Sequence, residues 1–467
     1  MSRTVDHVVA ILAILRAGAA CYSLSPKSTP AQVARAAEIA RSRCLFIDDG
    51  ALQRLAASDV LPDASWLHLG PAPPDVEAAS RRGVAHVDSR AEGPRSPDTN
   101  AADLAPAADD DVAIVLFTSG STGAPKGVMI SHGDLRRRVA RERADLALSP
   151  SDRLLGVLPF SFDVGLNQLF SAVTAGATLV LHNSWLPADL CSAVARHEIT
   201  GISGVPSVWT SLMGYREEAA RACLGALRYF TISGGDLARP RLLRLRELAP
   251  STAIYKTYGQ SETFRSALLR PSEYDAKIGS VGRAVLGTEI VVVTPDGRIA
   301  RAGEPGEIVH SGDGTMLGYA GDPEGTRAKL RAHPSRPGAL AVYTGDIGTL
   351  DDDGYLYVLG RSDRMLKILG HRAYPQEIAV VLESHPEVRE AAVVGVRGKG
   401  DEHAICAEVV LVPGSTATVA AVRRFLGQRL PSHLVPAALA IVDDLPRTES
   451  GKVALAALEA KYDGGVG

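Results

Sequence analysis

The sequence predicts a mixed α/β protein, with a large N-terminal domain of helix-covered, mostly parallel sheets and a small C-terminal α+β domain. Three observations lead to this class. From Val112 onward, short apolar runs alternate with helix-like segments, which favours parallel strands joined by helices. Between Gly279 and Tyr357 the runs are shorter and separated by glycines, which is typical of small antiparallel sheets. After Gly360 a compact helix–strand–strand–helix block follows.

The first predicted element is an amphipathic helix that begins near Asp6 and ends at Gly18. A secretory signal peptide would also explain the apolar run and the small residues before Cys21. Against that alternative, Arg16 interrupts the run and Asp6 follows the only early basic residue, Arg3. No stretch is long and apolar enough to span a bilayer, so we expect no membrane association. The apolar face of the helix contains Val8, Ile11, Leu12 and Leu15.

The remaining elements follow in chain order. A helix is predicted over residues 31–42, and a loose stretch from about 78 to 111, rich in Pro, Ala, Asp and Arg, is predicted to be an exposed linker. Apolar runs predict strands at 44–47, 112–117, 154–158, 178–181, 201–204, 229–232, 289–293, 306–310 and 355–359. The C-terminal block contains a helix over 374–385, strands over 388–397 and 403–411, and a helix over 419–429.

Composition excludes several classes of protein. The chain has 467 residues, of which 46% are hydrophobic and 22% charged, as is ordinary for a globular enzyme. Fifty Lys and Arg against 53 Asp and Glu give a net charge of −3, so we expect no nucleic-acid partner. Five scattered cysteines form no CxxC pair. This argues against a disulfide framework or a structural zinc site and favours a reducing, cytoplasmic compartment.

The sharpest motif is LFTSGSTGAPKGV at residues 116–128. Its glycines let several backbone N–H groups point at one anion, its hydroxyls add donors, and Lys126 adds a positive charge. The segment is not a Walker P-loop, because proline precedes the lysine and Gly-Val follows it. A flexible Ser/Gly turn is the alternative, but the flanking strands favour a polyphosphate cradle. Its contacts would come from Thr118, Ser119, Gly120, Ser121, Thr122 and Gly123.

Four further motifs follow the loop: YGQSET at 258–263, VYTGD at 342–346, GRSDR at 360–364 with KILGHR at 367–372, and LPRTESGK at 445–452. In order and spacing, the whole set resembles the adenylate-forming superfamily of AMP-dependent synthetases and ligases. That superfamily includes acyl-CoA synthetases, luciferases and peptide-synthetase adenylation domains. The resemblance covers essentially the whole chain. Val342, Ser261 and Asp236 depart from the commoner aromatic, Thr and Glu.

The resemblance implies a reaction in two halves, with ATP and Mg²⁺. A carboxylate attacks the α-phosphate to give an acyl-adenylate and pyrophosphate, and the acyl group then passes to the phosphopantetheine thiol of a carrier protein. Two alternatives to the carrier thiol remain: free CoA, and an amine or oxidative acceptor instead of a thiol. A non-catalytic nucleotide-binding interaction subunit is the alternative of a different class. The presence of Lys126, Glu262, Asp346 and Lys452 argues against it.

The resemblance also assigns roles around the phosphates. Lys452 would reach the attacking carboxylate and the α-phosphate, because one anion attacking another needs positive charge where negative charge accumulates. Lys126 and the cradle would hold the departing pyrophosphate. Glu262 would bind Mg²⁺ as a hard oxygen ligand, and Ser261 would donate to the α-phosphate.

On the nucleoside, Asp346 would accept the ribose hydroxyls and Arg361 would contact the ribose–phosphate side. Tyr258 and the neighbouring Gly259 would offer a face for adenine. The backbone of residues 234–236, including Gly235 and Asp236, would line the adenine pocket.

The resemblance places the large domain at residues 1–362 and the small, mobile domain at 363–467, with Asp363 as the hinge. One face of the small domain would present Lys452 for adenylation, and another would present the loop at Gly370 for thiolation. Members of the superfamily usually carry several dozen residues before the helix near Asp6. A late start codon, an upstream extension or a lost subdomain would each explain this departure.

Residues 158–168 resemble the acyl-pocket element of the superfamily, in which an aspartate pairs with the α-ammonium of an amino acid. Asp163 occupies that position, although members that take no amino acid also carry this motif. Arg265 would read a second carboxylate on the substrate, or it would pair with Asp163 and leave a neutral pocket. The mixture of small and polar types argues against a long fatty chain. The expected substrate-binding positions are Phe162, Asp163, Val164, Asn167, Gly204, Ser233, Gly234, Thr257, Arg265 and Ser266.

Overall fold

The computed structural model describes residues 3–56, 58, 64–69, 84–87, 106–119, 125–368, 371–397, 403–448 and 451–463. These segments contain 13 α-helices and 23 β-strands arranged in several sheets. The predicted α/β class is confirmed. Within the described segments, every helix is too short or too polar to cross a membrane.

A small parallel sheet begins the chain. It consists of β1 (Cys44–Ile47), β2 (Ser65–Leu69) and β3 (Val84–Val87). Helices α1 (Val5–Arg16) and α2 (Pro30–Ile39) precede β1, and α3 (Asp49–Ala56) lies between β1 and β2. A capping box between Thr29 and Gln32 explains where α2 begins. β3 corrects the prediction of a loose linker over 78–111. Four residues pair with β2 through backbone hydrogen bonds, which need no apolar periodicity. Residues 78–83 and 88–105 of that stretch lie outside the described residues.

A seven-stranded sheet forms the centre of the large domain, in the order β12-β11-β10-β9-β8-β6-β7. The five strands from β10 to β7 are parallel, and β11 and β12 run antiparallel at one edge. Because the chain leaves parallel strands at one edge, the loops after β6, β8, β9 and β10 converge. The strands are β6 (Arg153–Gly156), β7 (Thr178–Leu181), β8 (Gly201–Gly204), β9 (Tyr229–Ile232), β10 (Ala253–Tyr258), β11 (Ala267–Leu269) and β12 (Arg283–Ala284).

Six helices accompany this sheet, and a core that includes Trp209, Phe230 and Leu245 packs beside it. Prolines at the first turn of three of them suit helix starts, where no intrahelical N–H bond is needed. The helices are α4 (His132–Asp145), α5 (Asp163–Ala175), α6 (Pro187–Arg196), α7 (Pro206–Met213), α8 (Glu217–Gly225) and α9 (Arg239–Leu248).

Two antiparallel sheets complete the large domain, and the glycine-punctuated stretch predicts the larger of them. The smaller sheet corrects the prediction for the run at 112–117, which is expected among the parallel strands but pairs antiparallel with the strand that directly follows it. The smaller has β4 (Val112–Ser119) and β5 (Pro125–Ser131) as neighbours, with β15 (Gly318–Tyr319) beside β5. The larger contains β13 (Thr288–Val293), β14 (Gly306–Gly312), β16 (Leu330–Ala332), β17 (Leu340–Leu350) and β18 (Leu356–Arg361). The short helix α10 (Pro323–Lys329) precedes β16.

The C-terminal block has its own apolar core, which includes Leu382, Val409 and Leu426. It begins after a 3₁₀ turn at Ser362–Arg364, and a second such turn spans Ser432–Leu434. Its elements are β19 (Leu366–Ile368), β20 (His371–Ala373), α11 (Pro375–Glu383), β21 (Val388–Arg397), β22 (His403–Leu411), α12 (Val419–Gly427), β23 (Ala438–Ile441) and α13 (Leu455–Tyr462). The separate core supports a domain division near residue 363, which stays a prediction.

Candidate adenylation site

The turn after β10 places the YGQSET motif at the converging edge of the central sheet. Tyr258 pairs with Ala267 of β11, so the intervening residues reverse the chain tightly. A Cβ at Gly259 would lie 1.4 Å from the carbonyl oxygen of Phe264, so only glycine fits there. Phe264 itself has φ of 55°, a left-handed conformation that costs a bulky residue energy. This strained turn sets the positions of Ser261 and Glu262.

A cavity of about 60 Å³ opens beside this turn. It draws residues from the loops after β6, β9 and β10, from α4, and from the C-terminal domain through Lys452. The lining residues are Glu142, Phe162, Asp163, Val164, Ser233, Gly234, Thr257, Gly259, Gln260, Ser261, Phe264, Arg265 and Lys452. Most of the predicted substrate-binding positions therefore meet at one cavity.

Lys452 reaches this cavity from the small domain. A Cβ at Gly234 would lie 2.9 Å from its Cε and 3.3 Å from its Nζ, so the lysine packs directly against the glycine. Its Nζ also lies 5.0 Å from the ring centroid of Phe162. Burial lowers the pKa of Lys452, whereas the negative charges of Asp163 and Asp346 act to raise it. Lys452 is exposed as a whole residue, but its ammonium end lies against Gly234 and within the influence of two carboxylates.

Asp346, in β17, is the centre of a hydrogen-bond network. Its Oδ2 accepts a 2.7 Å bond from the Tyr258 hydroxyl and another of 2.7 Å from the Gln260 amide. Its Oδ1 lies 3.4 Å from a guanidinium nitrogen of Arg361. Burial and the negative charge of Asp346 raise the pKa of Tyr258 well above its usual value. Two sequence-predicted nucleotide residues, Tyr258 and Arg361, therefore meet at the carboxylate of a third, and Gln260 joins them without having been predicted.

Lys126 and Glu262 both contact Tyr319. Lys126 stands opposite Thr118 in the β4–β5 pair, and its Nζ lies 5.0 Å from the Tyr319 ring centroid. The Tyr319 hydroxyl donates a 2.7 Å bond to Glu262 Oε1, and burial and that carboxylate raise the pKa of Tyr319. Ser119 ends β4. The predicted cradle residues Gly120, Ser121, Thr122 and Gly123 lie outside the described residues.

Asp236 is held by a cation that the sequence analysis missed. Lys256, in β10, is 1% exposed and donates to Asp236 Oδ2 at 2.9 Å and to the Ile278 carbonyl at 2.8 Å. A Cβ at the neighbouring Gly235 would lie 3.1 Å from the ring of Pro206. A buried lysine needs an anionic partner. Here that partner is Asp236, which stands where the superfamily more often has glutamate.

Asp163 begins α5 and is largely buried. Its Oδ1 accepts the Val164 N–H at 2.8 Å. Burial raises its pKa, while the charges of Lys452 and Arg138 act to lower it. Among the charges that act on Asp163, that of Lys452 has the largest effect.

Three predicted substrate positions are not among the described residues that line the cavity. The Asn167 amide lies 3.5 Å from the Ser171 hydroxyl, within α5. Ser266 is fully buried and donates to the Thr263 hydroxyl at 3.0 Å. A Cβ at Gly204 would lie 2.5 Å from the Trp209 ring, so this glycine serves helix–sheet packing.

Arg265 does not pair with Asp163, which corrects one of the two alternatives for this residue. Among the described residues, its ion-pair partner is Glu142, at 3.4 Å. Glu142 lies on the highly charged helix α4 and is not among the predicted site residues. One signal was available: Asp134, Arg138 and Glu142 recur at every fourth residue and form one buried face.

The donor set fits Mg²⁺ through one carboxylate. The described residues contain no group of three or more metal-binding side chains, so a dedicated protein cage is absent from that part of the chain. Mg²⁺ is commonly bound by one or two carboxylates together with substrate phosphates and water. Glu262, close to the cradle lysine, is suited to this arrangement.

The chain is similar to known proteins along most of its length. The family described as AMP-binding enzyme matches residues 1–320, and the AMP-binding enzyme C-terminal domain matches residues 377–452. Surfactin synthase subunit 2 of Bacillus subtilis is 30% identical over 461 residues, covering 97% of this chain but only 12% of that protein. The 2-succinylbenzoate–CoA ligase of Geobacillus kaustophilus is 33% identical over 345 residues, covering 74% of this chain and 68% of the ligase.

Solved structures are similar to this chain over almost its whole length. The amide bond synthetase McbA from Marinactinospora thermotolerans aligns with a TM-score of 0.83 and 26% identity, covering 98% of this chain and 87% of that one. The similarity spans both the large domain and the C-terminal block.

Proposed function

The chain belongs to the family of AMP-binding enzymes, and we propose that it activates a small carboxylic acid, preferably an amino acid, with ATP. The products are an acyl-adenylate and pyrophosphate, and the acyl group then passes to the phosphopantetheine thiol of a carrier protein. The observation that carries the proposal is the position of Lys452. It reaches from the small domain into a cavity lined by Asp163 and Ser261, with the Asp346 network close enough to affect its pKa.

Charge placement supports the first half-reaction. A carboxylate that attacks a phosphate needs cations where negative charge develops. Lys452 meets that need at the acyl side, and Lys126 meets it at the leaving pyrophosphate. Mg²⁺, held by Glu262, would neutralise charge on the phosphate oxygens. Ser261 lines the same cavity and would donate its hydroxyl to the α-phosphate.

The nucleoside is expected to bind around Asp346. Its carboxylate oxygens would accept the ribose hydroxyls, and Arg361, 3.4 Å away, would face the phosphate side. The Tyr258 hydroxyl donates to Asp346, and the same bond would hold the Tyr258 ring beside the adenine. Gly235 and Asp236 would complete the adenine pocket.

The acyl group is proposed to be small because the cavity is small. Its volume of about 60 Å³ equals the space of only about four waters. Asp163 lies at this cavity, where it accepts a hydrogen bond from the Val164 N–H, and the charges of Lys452 and Arg138 act on it without forming an ion pair among the described residues. A substrate α-ammonium would give this buried carboxylate a direct cationic partner, which favours an amino acid.

The relatives leave the acceptor open between a carrier thiol, CoA and an amine. One relative is named a CoA ligase and one similar structure an amide bond synthetase. We favour the carrier thiol because a peptide-synthase relative aligns with nearly the whole chain.

ATP–pyrophosphate exchange over amino, hydroxy, aryl and dicarboxylic acids tests the first half-reaction. We expect exchange that depends on one class of small acid and on Mg²⁺. Loading of a carrier protein, compared with free CoA and with an amine, then identifies the acceptor. A protein that binds ATP but exchanges pyrophosphate with no acid would instead favour the non-catalytic interaction subunit.

A hinge at Asp363 predicts a split between the two half-reactions. Asp363 lies in the 3₁₀ turn after β18, and Arg361 donates to it at 3.1 and 3.0 Å. Asp363→Pro would fix the backbone that must rotate. We expect acyl transfer to thiol to fall by at least about tenfold while pyrophosphate exchange changes little.

Asp363→Ala is the matched control, because it also removes the bond to Arg361 but leaves the backbone free. Both half-reactions should continue in that variant. An equal loss of both halves in Asp363→Pro, or the same loss of transfer in Asp363→Ala, would exclude the hinge role.

A further inference from the structure

Two buried side chains in the cavity wall each have one polar atom without a hydrogen-bond partner among the described residues. Arg265 is 5% exposed and Glu142 is 2% exposed, and both line the cavity. They contact each other through one nitrogen and one oxygen, 3.4 Å apart. Burial raises the pKa of Glu142, and the Arg265 charge and the Ser171 hydroxyl act to lower it. Arg265 Nη1 and Glu142 Oε2 have no hydrogen-bond partner within 3.5 Å among the described residues. The wall therefore presents one unused donor and one unused acceptor.

Leaving such groups unpaired is costly. A buried donor or acceptor without a partner costs about 1–3 kcal/mol, and more when the group is charged. A buried ion pair is also weak evidence for stability by itself, since an apolar pair of similar volume often does as well. A bound guest that completes both sets of hydrogen bonds would recover this cost, which makes the pair a candidate reader of the substrate.

The chemistry of the two free atoms restricts the guest. A second carboxylate would bond to Arg265 but would face the Glu142 carboxylate. An ammonium or guanidinium group would bond to Glu142 but would face Arg265. An alkyl group would leave both atoms unpaired. A primary carboxamide carries one acceptor and two donors in one plane, so it can satisfy both atoms without adding charge.

We propose that Glu142 and Arg265 are specificity-determining residues that select an acid with a short tail ending in a neutral donor–acceptor group, of which a carboxamide is the simplest. This inference rests on the proposed function. The carboxylate that reacts would face Lys452, an α-ammonium would face Asp163, and the tail would reach the Glu142–Arg265 pair. The small cavity favours a tail of few atoms.

Near-isosteric acids test the proposal in the unmodified protein. Asparagine, aspartate and leucine share shape but differ in tail chemistry, and succinamate and succinate repeat the amide–carboxylate comparison without an amine. We expect pyrophosphate exchange with the amide member to exceed that with its carboxylate and alkyl isosteres by at least about a hundredfold in kcat/KM. Preference for a carboxylate or alkyl tail would overturn the proposal.

Two variants test the reader residues in opposite directions. Glu142→Gln leaves the Arg265 charge uncompensated, so the ratio of asparagine to aspartate should fall by at least about tenfold. Arg265→Gln leaves the Glu142 charge, so 2,4-diaminobutyrate should gain relative to asparagine. Glu218→Gln makes the same chemical change on the exposed side of α8 and should leave the ratio unchanged. An unchanged ratio in Glu142→Gln would overturn the proposal.

The outcomes separate the two proposals. Exchange with other acids but with none of the amides would remove this inference and leave the adenylating function standing. Exchange with no acid at all, from a protein that is folded by circular dichroism, would remove the adenylating function and this inference with it. The isostere series needs no variant, so a poorly folded Glu142→Gln protein would not prevent a decision.

Discussion

Replacing Lys452 with alanine is expected to lower the rate of adenylate formation by about 10²–10³-fold, the usual effect of removing one preorganised donor from a developing charge. The reason is geometric. The ammonium packs against Gly234 and lies over the Phe162 ring, in the cavity that Asp163 also lines. No other lysine or arginine of the described C-terminal domain lines that cavity, so water would have to replace the charge.

The effect should be confined to the first half-reaction. ATP–pyrophosphate exchange measures it, and transfer from a supplied acyl-adenylate to the thiol should continue in the same variant. Arg424→Ala, which removes an exposed cation from α12 of the same domain, is the control and should leave exchange unchanged. Normal exchange in Lys452→Ala would contradict the proposed role of the lysine.

Replacing Asp346 with alanine is the second large effect. We expect the KM for ATP to rise by at least about a hundredfold, because hydrogen bonds to a charged group contribute about 1.5–3 kcal/mol each and the ribose would lose two acceptors. The variant also leaves the Tyr258 hydroxyl without its 2.7 Å acceptor and Arg361 without one of its two carboxylates. The free energy of unfolding should therefore fall by about 1–3 kcal/mol.

Steady-state exchange at varied ATP measures the first effect, and urea unfolding measures the second. Asp352→Ala removes an exposed carboxylate from the nearby turn after β17 and should change neither quantity. A variant that loses stability but keeps its KM for ATP would show that Asp346 supports the fold without contacting the nucleotide.

The motifs of the site could be identified in the sequence because each is a local run with a local cause. The glycine of YGQSET is required by a contact within its own turn, between Gly259 and the Phe264 carbonyl. The strands at 178–181, 201–204 and 229–232 are short apolar runs, and the structure has the same bounds. Such features depend on neighbours a few residues away.

The partners of the charged residues could not be identified in the same way. Lys256 looks like an isolated lysine in a strand, and only the approach of the loop after β9 gives it Asp236. Tyr319 belongs to a two-residue strand with no distinctive pattern, yet it contacts both Lys126 and Glu262. β3 was missed because backbone pairing with β2, and not side-chain periodicity, defines it.

The amino-acid sequence by itself determined the α/β class, the family and the residues that carry the proposed chemistry, since apolar periodicity and motif order are properties of short segments. The tertiary structure decided which charges face one another. It directed Glu142 of a highly charged helix inward to Arg265, separated Arg265 from Asp163, and brought Lys452 across from the small domain to Gly234. Packing decides these pairings because a buried charge takes whichever partner the converging elements bring within reach.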